Sequence, residues 1–322
     1  MFSGMGGFRE GLSRAGGFAC VGHCEIDRQA EKSYRALFDT EGEWYCDDIR
    51  KADPEELPAF DLLCGGFPCQ SFSAAGKRGG FGDPRGTLFF ELARLAEARK
   101  PQYLLFENVP GLLHHDEGRT FAAILHTLEG MGYGVEWQVL NSRDFGVPQS
   151  RKRVYLVGYL DERCRGKIFP FTETAGTPLK QVLAGSQGGR VYSAEGVSCT
   201  LTAQAGGMGG KTGLYALPCC VDLNESPEFT QYARCLIAKQ DGGIHHHKRE
   251  ASGVWDGCRI RRLTPRECLR LQGWTDDRID LVMPLHSDTQ LYKQAGNGVT
   301  VNVVEAIGKR LAALHREVTA ID

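Results

Sequence analysis

Residues 61–70 read DLLCGGFPCQ and residues 103–109 read YLLFENV, and these two stretches decide the fold. Each begins with a short apolar run bounded by turn signals, which is typical of a buried parallel strand. The segment GTLFFELARLAEARK lies between them and has apolar residues at helical spacing, namely Leu88, Leu92, Leu95 and Ala96. This alternation predicts an α/β domain with a mostly parallel sheet.

The alternation continues along the chain. Residues 120–131 predict a helix, and residues 135–140 and 153–159 predict strands. At Thr264 a helix start is expected, because Pro265 suits the first helical position and Glu267 can complete a capping box. Residues 301–317 predict a last amphipathic helix that packs on the sheet, and its apolar side consists of Val303, Val304, Ile307, Leu311 and Leu314.

The composition changes after about residue 171, where Gly, Ser and Thr become frequent and long periodic segments are few. We therefore predict a smaller second domain, rich in loops and short strands, over residues 172–262. Residues 1–171 form the first domain in this division, and residues 263–322 return to it.

Bulk properties restrict the function only mildly. The 322 residues carry a formal net charge of −2, so contact with a nucleic acid would need local basic patches. No signal peptide and no apolar stretch of membrane-spanning length are visible, which predicts a cytoplasmic protein without a membrane partner. The 12 cysteines are expected to be reduced thiols. A zinc site at Cys20, His23 and Cys24 is the less favoured alternative, because no second ligand pair has zinc-finger spacing.

Several residues that can carry chemistry follow the predicted strands. Cys69 comes just after a strand and next to Pro68, at the strand end where α/β sheets place ligands. Glu107 follows the neighbouring strand, and Arg151 and Arg153 lie on one side of another. Taken singly, each has an ordinary structural interpretation. The loop after Cys69 is rich in glycine and contains Lys77, Arg78 and Arg85, a composition that suits a mobile basic lid.

Six motifs together resemble the DNA cytosine-5 methyltransferases, of the HhaI type found in bacterial restriction–modification systems. They occur in the family's order over nearly the whole chain: FSGMGGFREGL, GFPCQ, ENV, QSRKR, RRLTPRECLRLQGW and QAGNGV. The resemblance implies a Rossmann-like methyltransferase domain at 1–171 and 263–322 and a target-recognition domain at 172–262. It further implies a monomer that acts on double-stranded DNA, with a cognate restriction endonuclease as a further candidate partner.

The resemblance also implies the catalytic residues and the reaction. Cys69 would attack carbon 6 of a flipped-out cytosine, and Glu107 would hydrogen-bond to N3 of the ring. Arg153, with Arg151 beside it, would hold the O2 side. The methyl donor would be S-adenosyl-L-methionine. By motif position its binding residues would be Phe2, Gly4, Gly6, Gly7, Glu25, Ile26, Asp48, Ile49, Pro68, Leu88 and Asn297.

Contacts to DNA are expected from the second domain and the lid. SQGGRVYS at 186–193 resembles the start of the family's recognition domain. The resemblance implies that Gln187 fills the space that the flipped-out cytosine leaves in the duplex and that Arg190 reads a base. Thr200 and Ser73 are candidate phosphate contacts. The alternative interpretation of this segment is an ordinary exposed loop. The histidine run 245–247 allows a metal site, but a polar loop near DNA is favoured.

Two departures leave alternatives open. The family has a strand before the FSG loop, whereas here Phe2 directly follows Met1, so we expect a weakened sheet and cofactor site. Either the start lies further upstream or the chain is a decayed copy. The competing functions are a cytosine-5 methyltransferase of transfer RNA and a non-catalytic DNA-binding protein, and the presence of Cys69, Glu107 and Arg153 favours an enzyme.

Overall fold

The computed structural model describes residues 1–68, 88–172 and 264–320, and the backbone of six short strands between residues 181 and 253. The chain begins with α1 (Gly7–Ala15), β1 (Gly22–Cys24), α2 (Arg28–Leu37) and β2 (Trp44–Cys46). Helix α2 starts at Asp27, whose side chain accepts a hydrogen bond from the amide of Gln29. Strands β1 and β2 pair in parallel, so their carboxyl ends lie side by side.

The main sheet is formed by β3 (Leu62–Gly66), β4 (Tyr103–Asn108), β5 (Gly134–Asn141) and β6 (Lys152–Tyr159), with α3 (Leu88–Arg99) and α4 (Arg119–Gly130) between them in the chain. All of these elements were predicted near these positions, and the predicted α/β class is confirmed.

Strand direction in this sheet follows from the length of the connections. The order is β3-β4-β6-β5, in which β3 and β4 are parallel and β6 is antiparallel to both of its neighbours. Strands β3, β4 and β5 therefore point the same way and β6 is reversed. Ten residues, 142–151, join β5 to β6 without an α-helix. A parallel crossover needs a dozen residues or more, so this short connection favours an antiparallel pair.

Both faces of the main sheet are buried. Leu104 and Phe106 of β4 pack with α3 and α4 on one face, whereas Tyr103 and Leu105 face the other side. This is the alternation that a strand imposes on successive side chains. Because both faces are covered, β4 is buried along its whole length, and its first four residues, 103–106, read as a continuous apolar run.

The carboxyl-terminal part contains α5 (Pro265–Leu271), α6 (Asp276–Val282), α7 (Asp288–Asn297) and α8 (Val301–Thr319). The predicted capping box is confirmed, because Thr264 and Glu267 each bond the other's backbone. Helix α8 contributes Val303, Val304 and Ile307 to the same cluster as residues of β4 and β6, as predicted. Helices α6 and α7 were not predicted, since their apolar residues are sparse in sequence.

Helix α8 also packs closely against α1, and glycine makes this possible. A Cβ atom on Gly11 would lie 2.6 Å from Cβ of Val304 and 2.8 Å from the carbonyl oxygen of Val301. A Cβ atom on Gly7 would lie 2.8 Å from Cγ2 of Val299. The FSGMGGFREGL motif therefore forms a loop and, in addition, provides the surface of α1 on which α8 packs.

Six short strands occupy the region predicted as the second domain: β7 (Gln181–Leu183), β8 (Val191–Ser193), β9 (Leu214–Ala216), β10 (Cys220–Asp222), β11 (Glu228–Thr230) and β12 (Ser252–Gly253). They form two three-stranded sheets, β7-β8-β9 and β11-β10-β12. Each of these strands has two or three residues, and the bounds 172–262 for a second domain stay a prediction.

Met1 lies between the β1–β2 sheet and the main sheet. Its ammonium group donates to the carbonyl oxygen of Cys64, at 2.7 Å, and the amide of Ser3 donates to the carbonyl oxygen of Cys24, at 3.0 Å. A cavity of about 390 Å³ lies beside Met1, lined by residues of β1, β3 and α1. Residues of β1 and β3 thus line the same cavity, on two sides of Met1.

None of the described helices combines the length and the apolar character that crossing a bilayer requires. Within the same residues, no three His, Cys, Asp or Glu side chains are grouped so that they could hold a metal ion. His23, one of the zinc-ligand candidates, is buried with Nε2 3.1 Å from Glu31 Oε2 and stacks on Tyr34.

Candidate active site and cofactor cleft

A carboxylate and a guanidinium meet at the end of β4. Nε of Arg153 lies 3.0 Å from Oε1 of Glu107, and only 9% of Glu107 is exposed. In the parallel pair of β3 and β4, Glu107 lies opposite Gly66. A Cβ atom on Gly66 would lie 3.1 Å from Oε2 of Glu107, so the glycine leaves room for the carboxylate. Pro68 follows two residues later, and Cys69 lies outside the described residues.

The environment of Glu107 favours its protonated form. Burial raises the pKa of the Glu107 carboxyl above its usual range, while the positive charges of Arg153 and Arg151 act in the opposite direction. A buried carboxyl with a raised pKa can keep its proton at a higher pH than an exposed one. It can then donate a hydrogen bond to a ring nitrogen.

Arg151 is almost completely buried, with 2% of its surface exposed. Its Nη2 donates to the carbonyl oxygens of Gly296 and Gly298, at 3.0 and 2.9 Å. Burial and the nearby charge of Arg153 lower the pKa of Arg151 to about 9, so its guanidinium remains charged at neutral pH. A role for Arg151 beside Arg153 at the base stays a prediction, and its Nη2 contacts the end of α7 and the residue that follows it.

Asn108, in the ENV motif, holds the segment that leads to Cys69. Its side-chain amide donates to the carbonyl oxygen of Phe67, at 2.9 Å, and its Oδ1 accepts from the amide of Val109. Sequence reasoning missed this role. A polar residue at the end of an otherwise apolar buried strand was the available signal, because a buried amide needs partners.

The FSGMGG loop adopts a conformation that requires glycine. Gly4 and Gly6 have φ values of 55° and 98°. A Cβ atom on Gly6 would lie 2.2 Å from the ring of Phe38, whereas one on Gly4 would meet nothing within 4 Å. The loop is therefore tightly packed against Phe38 at Gly6, whereas the space beside Gly4 is open.

Glu25 follows β1 and faces this loop. Its Oε2 accepts from the amide of Gly4, at 2.7 Å, and its Oε1 accepts from the amide of Asp27, at 2.8 Å. Each carboxylate oxygen keeps a further lone pair for a ligand hydroxyl. Ile26 comes next and is 63% exposed, which leaves an apolar surface beside a fixed carboxylate.

Asp48 lies beyond the end of β2, next to the end of β1. Both of its carboxylate oxygens accept from the guanidinium of Arg50, and this contact lowers the pKa of Asp48. The sequence had not indicated Arg50 as a partner. The side chain of Ile49 is buried in the core, so any contact with a ligand would come from its backbone.

The other predicted cofactor residues lie at element ends. Phe2 precedes the loop with a φ of 53°, and Leu88 begins α3. Pro68 and Asn297 are exposed, and Asn297 is the last residue of α7. Gly7 begins α1, and its contact with Val299 gives it a packing role.

Comparison with known proteins decides the family. The model of the C-5 cytosine-specific DNA methylases matches residues 1–313 of the chain. The chain belongs to the C-5 cytosine-specific DNA methylases. As a member of this family it is a DNA cytosine-5 methyltransferase, which uses S-adenosyl-L-methionine to methylate carbon 5 of cytosine.

Relatives of this methyltransferase align over nearly its whole length. It is 36% identical over 319 residues to the Type II methyltransferase M.SsoII of Shigella sonnei, which covers 97% of the chain and 78% of the relative. It is 36% identical over 326 residues to the Type II methyltransferase M.NlaX of Neisseria lactamica, with coverage of 97% and 95%.

Solved structures support the fold of the methyltransferase. The methyltransferase EhMeth of Entamoeba histolytica has a TM-score of 0.69 at 18% identity, and the match covers 96% of this chain and 95% of that chain. DNMT2 of Spodoptera frugiperda has a TM-score of 0.65 at 19% identity, with coverage of 96% and 97%.

The cleft of the methyltransferase suits an adenosyl cofactor. Glu25 is a fixed carboxylate with free acceptor capacity, Ile26 is an exposed apolar side chain, and the space before Gly4 is open. A nucleoside presents hydroxyl donors and a flat apolar base, which match these features. Of the remaining predicted site residues, Cys69, Ser73, Gln187, Arg190 and Thr200 lie outside the described residues.

Proposed function

We propose that this enzyme methylates carbon 5 of a cytosine flipped out of a specific double-stranded DNA sequence, through a covalent bond between Cys69 and carbon 6. The contact between Glu107 and Arg153 carries the proposal. It combines a buried proton donor and a cation at one strand end, and the neighbouring strand end leads to Cys69.

The proposed reaction requires a nucleophile because carbon 5 of cytosine is itself a poor one. The thiolate of Cys69 adds to carbon 6 and forms a sulfur–carbon bond, and the electron pair of the ring double bond moves toward carbon 5. Bound S-adenosyl-L-methionine supplies an electrophilic methyl group on a sulfonium centre. Carbon 5 forms its bond to this methyl group while the bond between the methyl carbon and the sulfonium sulfur breaks, so that S-adenosyl-homocysteine is the leaving group. A base then removes the proton from carbon 5, and the sulfur–carbon bond breaks to release the thiolate.

Glu107 and Arg153 stabilise the electron-rich ring in this proposal. Protonated Glu107 donates a hydrogen bond to N3, and its raised pKa supports that role. Arg153 holds the O2 side of the ring, where negative charge develops. The chain's own side chains thus place a proton and a positive charge on the side of the ring that gains electrons.

The proposed cofactor site uses the ends of β1 and β2. Glu25 binds the ribose hydroxyls, Ile26 packs on the adenine, and Asp48 with the backbone of Ile49 contacts the adenine edge. The open space before Gly4 accommodates the rest of the molecule, and the other proposed contacts come from Phe2, Gly6, Gly7, Pro68, Leu88 and Asn297.

DNA recognition is proposed for residues 172–262, between the catalytic parts 1–171 and 263–322. Gln187 would fill the space left by the flipped base, Arg190 would read a base, and Ser73 and Thr200 would contact phosphates. We also propose that the enzyme is a monomer and that it shares its DNA site with a cognate restriction endonuclease, and the likeness to Type II methyltransferases supports the second of these.

Trapping of the covalent complex tests the proposed chemistry. Duplex DNA that contains 5-fluorocytosine is incubated with the enzyme and cofactor, since fluorine at carbon 5 prevents release of the thiolate. A complex that survives denaturing electrophoresis is expected with the wild type and absent with Cys69→Ala. Cys64→Ala is the control, because burial raises the pKa of the Cys64 thiol and makes it a poor nucleophile. A complex with Cys69→Ala, or none with the wild type, would contradict the proposal.

The substrate is tested with labelled cofactor. Transfer of the methyl group to duplex DNA is expected, and transfer to transfer RNA alone would refute the proposed substrate. Bisulfite sequencing of DNA from cells that express the chain would then give the recognition sequence. Methylation at scattered cytosines without a common sequence would oppose the proposed specificity.

A further inference from the structure

The QSRKR segment contains Arg153, the proposed base-binding residue, and its side chains also bind the carboxyl-terminal helices. Nη2 of Arg151 donates to the carbonyl oxygens of Gly296 and Gly298, which lie on the two sides of Asn297. Nε2 of Gln149, which is fully buried, donates to the carbonyl oxygen of Leu271 at the end of α5. Both side chains thus bind backbone carbonyls of the segment that returns after residue 263.

The backbone of Arg151 is fixed by hydrogen bonds to Asn141 and Ser142. Its amide donates to Oδ1 of Asn141, at 3.0 Å, and its carbonyl oxygen accepts from the amide of Ser142, at 3.0 Å. A buried chain of hydroxyl and amide groups then joins Ser142 to Thr300 and Thr300 to Gln272. The turn between α7 and α8 is therefore fixed to the start of β6 by several hydrogen bonds. Among these, the bonds of Arg151 are made to the residues on either side of Asn297.

We propose that Arg151 is a positioning residue for methyl transfer, which fixes Asn297 at the cofactor and holds it in register with Arg153 and Glu107. This inference rests on the proposed function, in which Asn297 contacts the cofactor and Arg153 the base. Arg151 is two residues from Arg153. One short segment therefore sets the position of the proposed cofactor contact, Asn297, and of the proposed base contact, Arg153. A buried guanidinium suits this task, because the two hydrogens of Nη2 can each bond one of the two carbonyls while the planar group fixes their direction.

The charge of Arg151 has a second effect. Its positive charge lowers the pKa of Glu107, against the effect of burial. Loss of the charge should therefore raise the pKa of Glu107, whereas loss of the planar geometry alone should leave it unchanged. Two substitutions separate these effects, since Arg151→Lys keeps the charge and Arg151→Met removes it.

The test measures binding of S-adenosyl-homocysteine by calorimetry. Arg151→Lys is expected to weaken binding roughly tenfold, as for the loss of one hydrogen bond to a charged group. Asn297→Ala should weaken binding as well, and Arg151→Lys should add little to it in the double variant. Arg165→Lys, an exposed arginine, is the control and should bind like the wild type.

Each outcome of this cycle is informative. If Asn297→Ala binds normally, the proposed cofactor contact of Asn297 is wrong. The positioning role of Arg151 is refuted if Arg151→Lys binds the cofactor product as tightly as the wild type. It is also refuted if both single variants weaken binding and their losses of binding free energy add up in the double variant. With Arg151→Met, the alkaline limb of the pH–rate profile should in addition move to higher pH, and an unmoved limb would oppose the electrostatic part.

A purely structural role is distinguished by hydrogen exchange. In Arg151→Lys, faster exchange is expected at residues 294–299, while the amides of α1 keep their wild-type protection. A loss of protection spread evenly over the chain would mean that Arg151 only stabilises the fold, and it would overturn the proposal even if the variant is partly unfolded.

Discussion

Nε of Arg153, on β6, lies 3.0 Å from Oε1 of Glu107 at the end of β4. The two strands are hydrogen-bonded neighbours, and Glu107 lies opposite Tyr155 in their antiparallel register. The contact joins a carboxyl whose pKa is raised by burial to a cation that lowers it again. This balance makes the protonation of Glu107 sensitive to Arg153.

Arg153→Gln should lower kcat and change its pH dependence. We expect kcat to fall about 100-fold, because a preorganised donor to the developing charge is lost. Removal of the positive charge should raise the pKa of Glu107 further. If the protonated carboxyl is the active form, the fall of kcat at alkaline pH should then occur at a higher pH than in the wild type.

The pH–rate profile checks this prediction, with Lys152→Gln as the control. Lys152 is exposed, adjacent to Arg153 and of the same charge. Its replacement should leave both the rate and the profile unchanged. An alkaline limb that moves to lower pH in Arg153→Gln would show that the active form of Glu107 is not the protonated one.

Glu25→Gln should weaken cofactor binding. The substitution keeps the shape of the side chain but replaces one acceptor oxygen, so the bonds to Gly4 and Asp27 and a bond to a ribose hydroxyl cannot all remain. We expect the Kd of S-adenosyl-homocysteine to rise about tenfold or more. Calorimetry measures it, and Glu55→Gln, at an exposed carboxylate, is the control. Equal affinities would exclude Glu25 from the cofactor site.

Gly11→Ala should destabilise the fold through the contact of α1 with α8. The new methyl group would lie 2.6 Å from Cβ of Val304, and neither helix can move without disturbing the core. We expect the free energy of unfolding to fall by about 1–3 kcal/mol. Denaturant titration measures this change.

Gly130→Ala is the matched control for this overpacking. Gly130 is an exposed helical residue whose added Cβ would meet nothing within 4 Å. Alanine is the better helix former, so stability should rise by up to about 1 kcal/mol. A similar loss of stability in both variants would mean that helix contact is not the cause.

An engineered extension should fill the cavity beside Met1. Five alternating valine and threonine residues placed before Met1 would extend between β1 and β3 and pair with both. The cavity of about 390 Å³ would then be filled by apolar side chains. We expect the Tm to rise by at least about 2 °C and cofactor binding to strengthen, because the FSG loop starts there.

Calorimetric melting and cofactor titration measure the effect of the extension. A glycine and serine extension of equal length is the control, since it has little apolar surface to bury and little preference for strand geometry. If both extensions behave alike, the space between β1 and β3 does not accept a strand.

Residue patterns were sufficient for the main sheet, the two helices between its strands, and helices α5 and α8. The apolar runs before Gly65 and Glu107 predicted β3 and β4, and the capping residues at Thr264 predicted the start of α5. These signals are local, because strand and helix periodicity and caps depend on neighbouring residues only. The motifs were equally sufficient for the family, because each is a short run of neighbouring residues and the six occur in the family's order.

Only the tertiary structure decided which side chains meet. Arg151 and Arg153 look equivalent in QSRKR, yet Arg153 contacts Glu107 while Nη2 of Arg151 binds the carbonyls of Gly296 and Gly298. Those carbonyls are some 145 residues away in the chain. Their position depends on how α7 and α8 pack against the sheet, and no local pattern encodes it. The sequence by itself determined the strands of the main sheet, the helices α3, α4, α5 and α8, and the family, and long-range packing determined the partner of each functional residue.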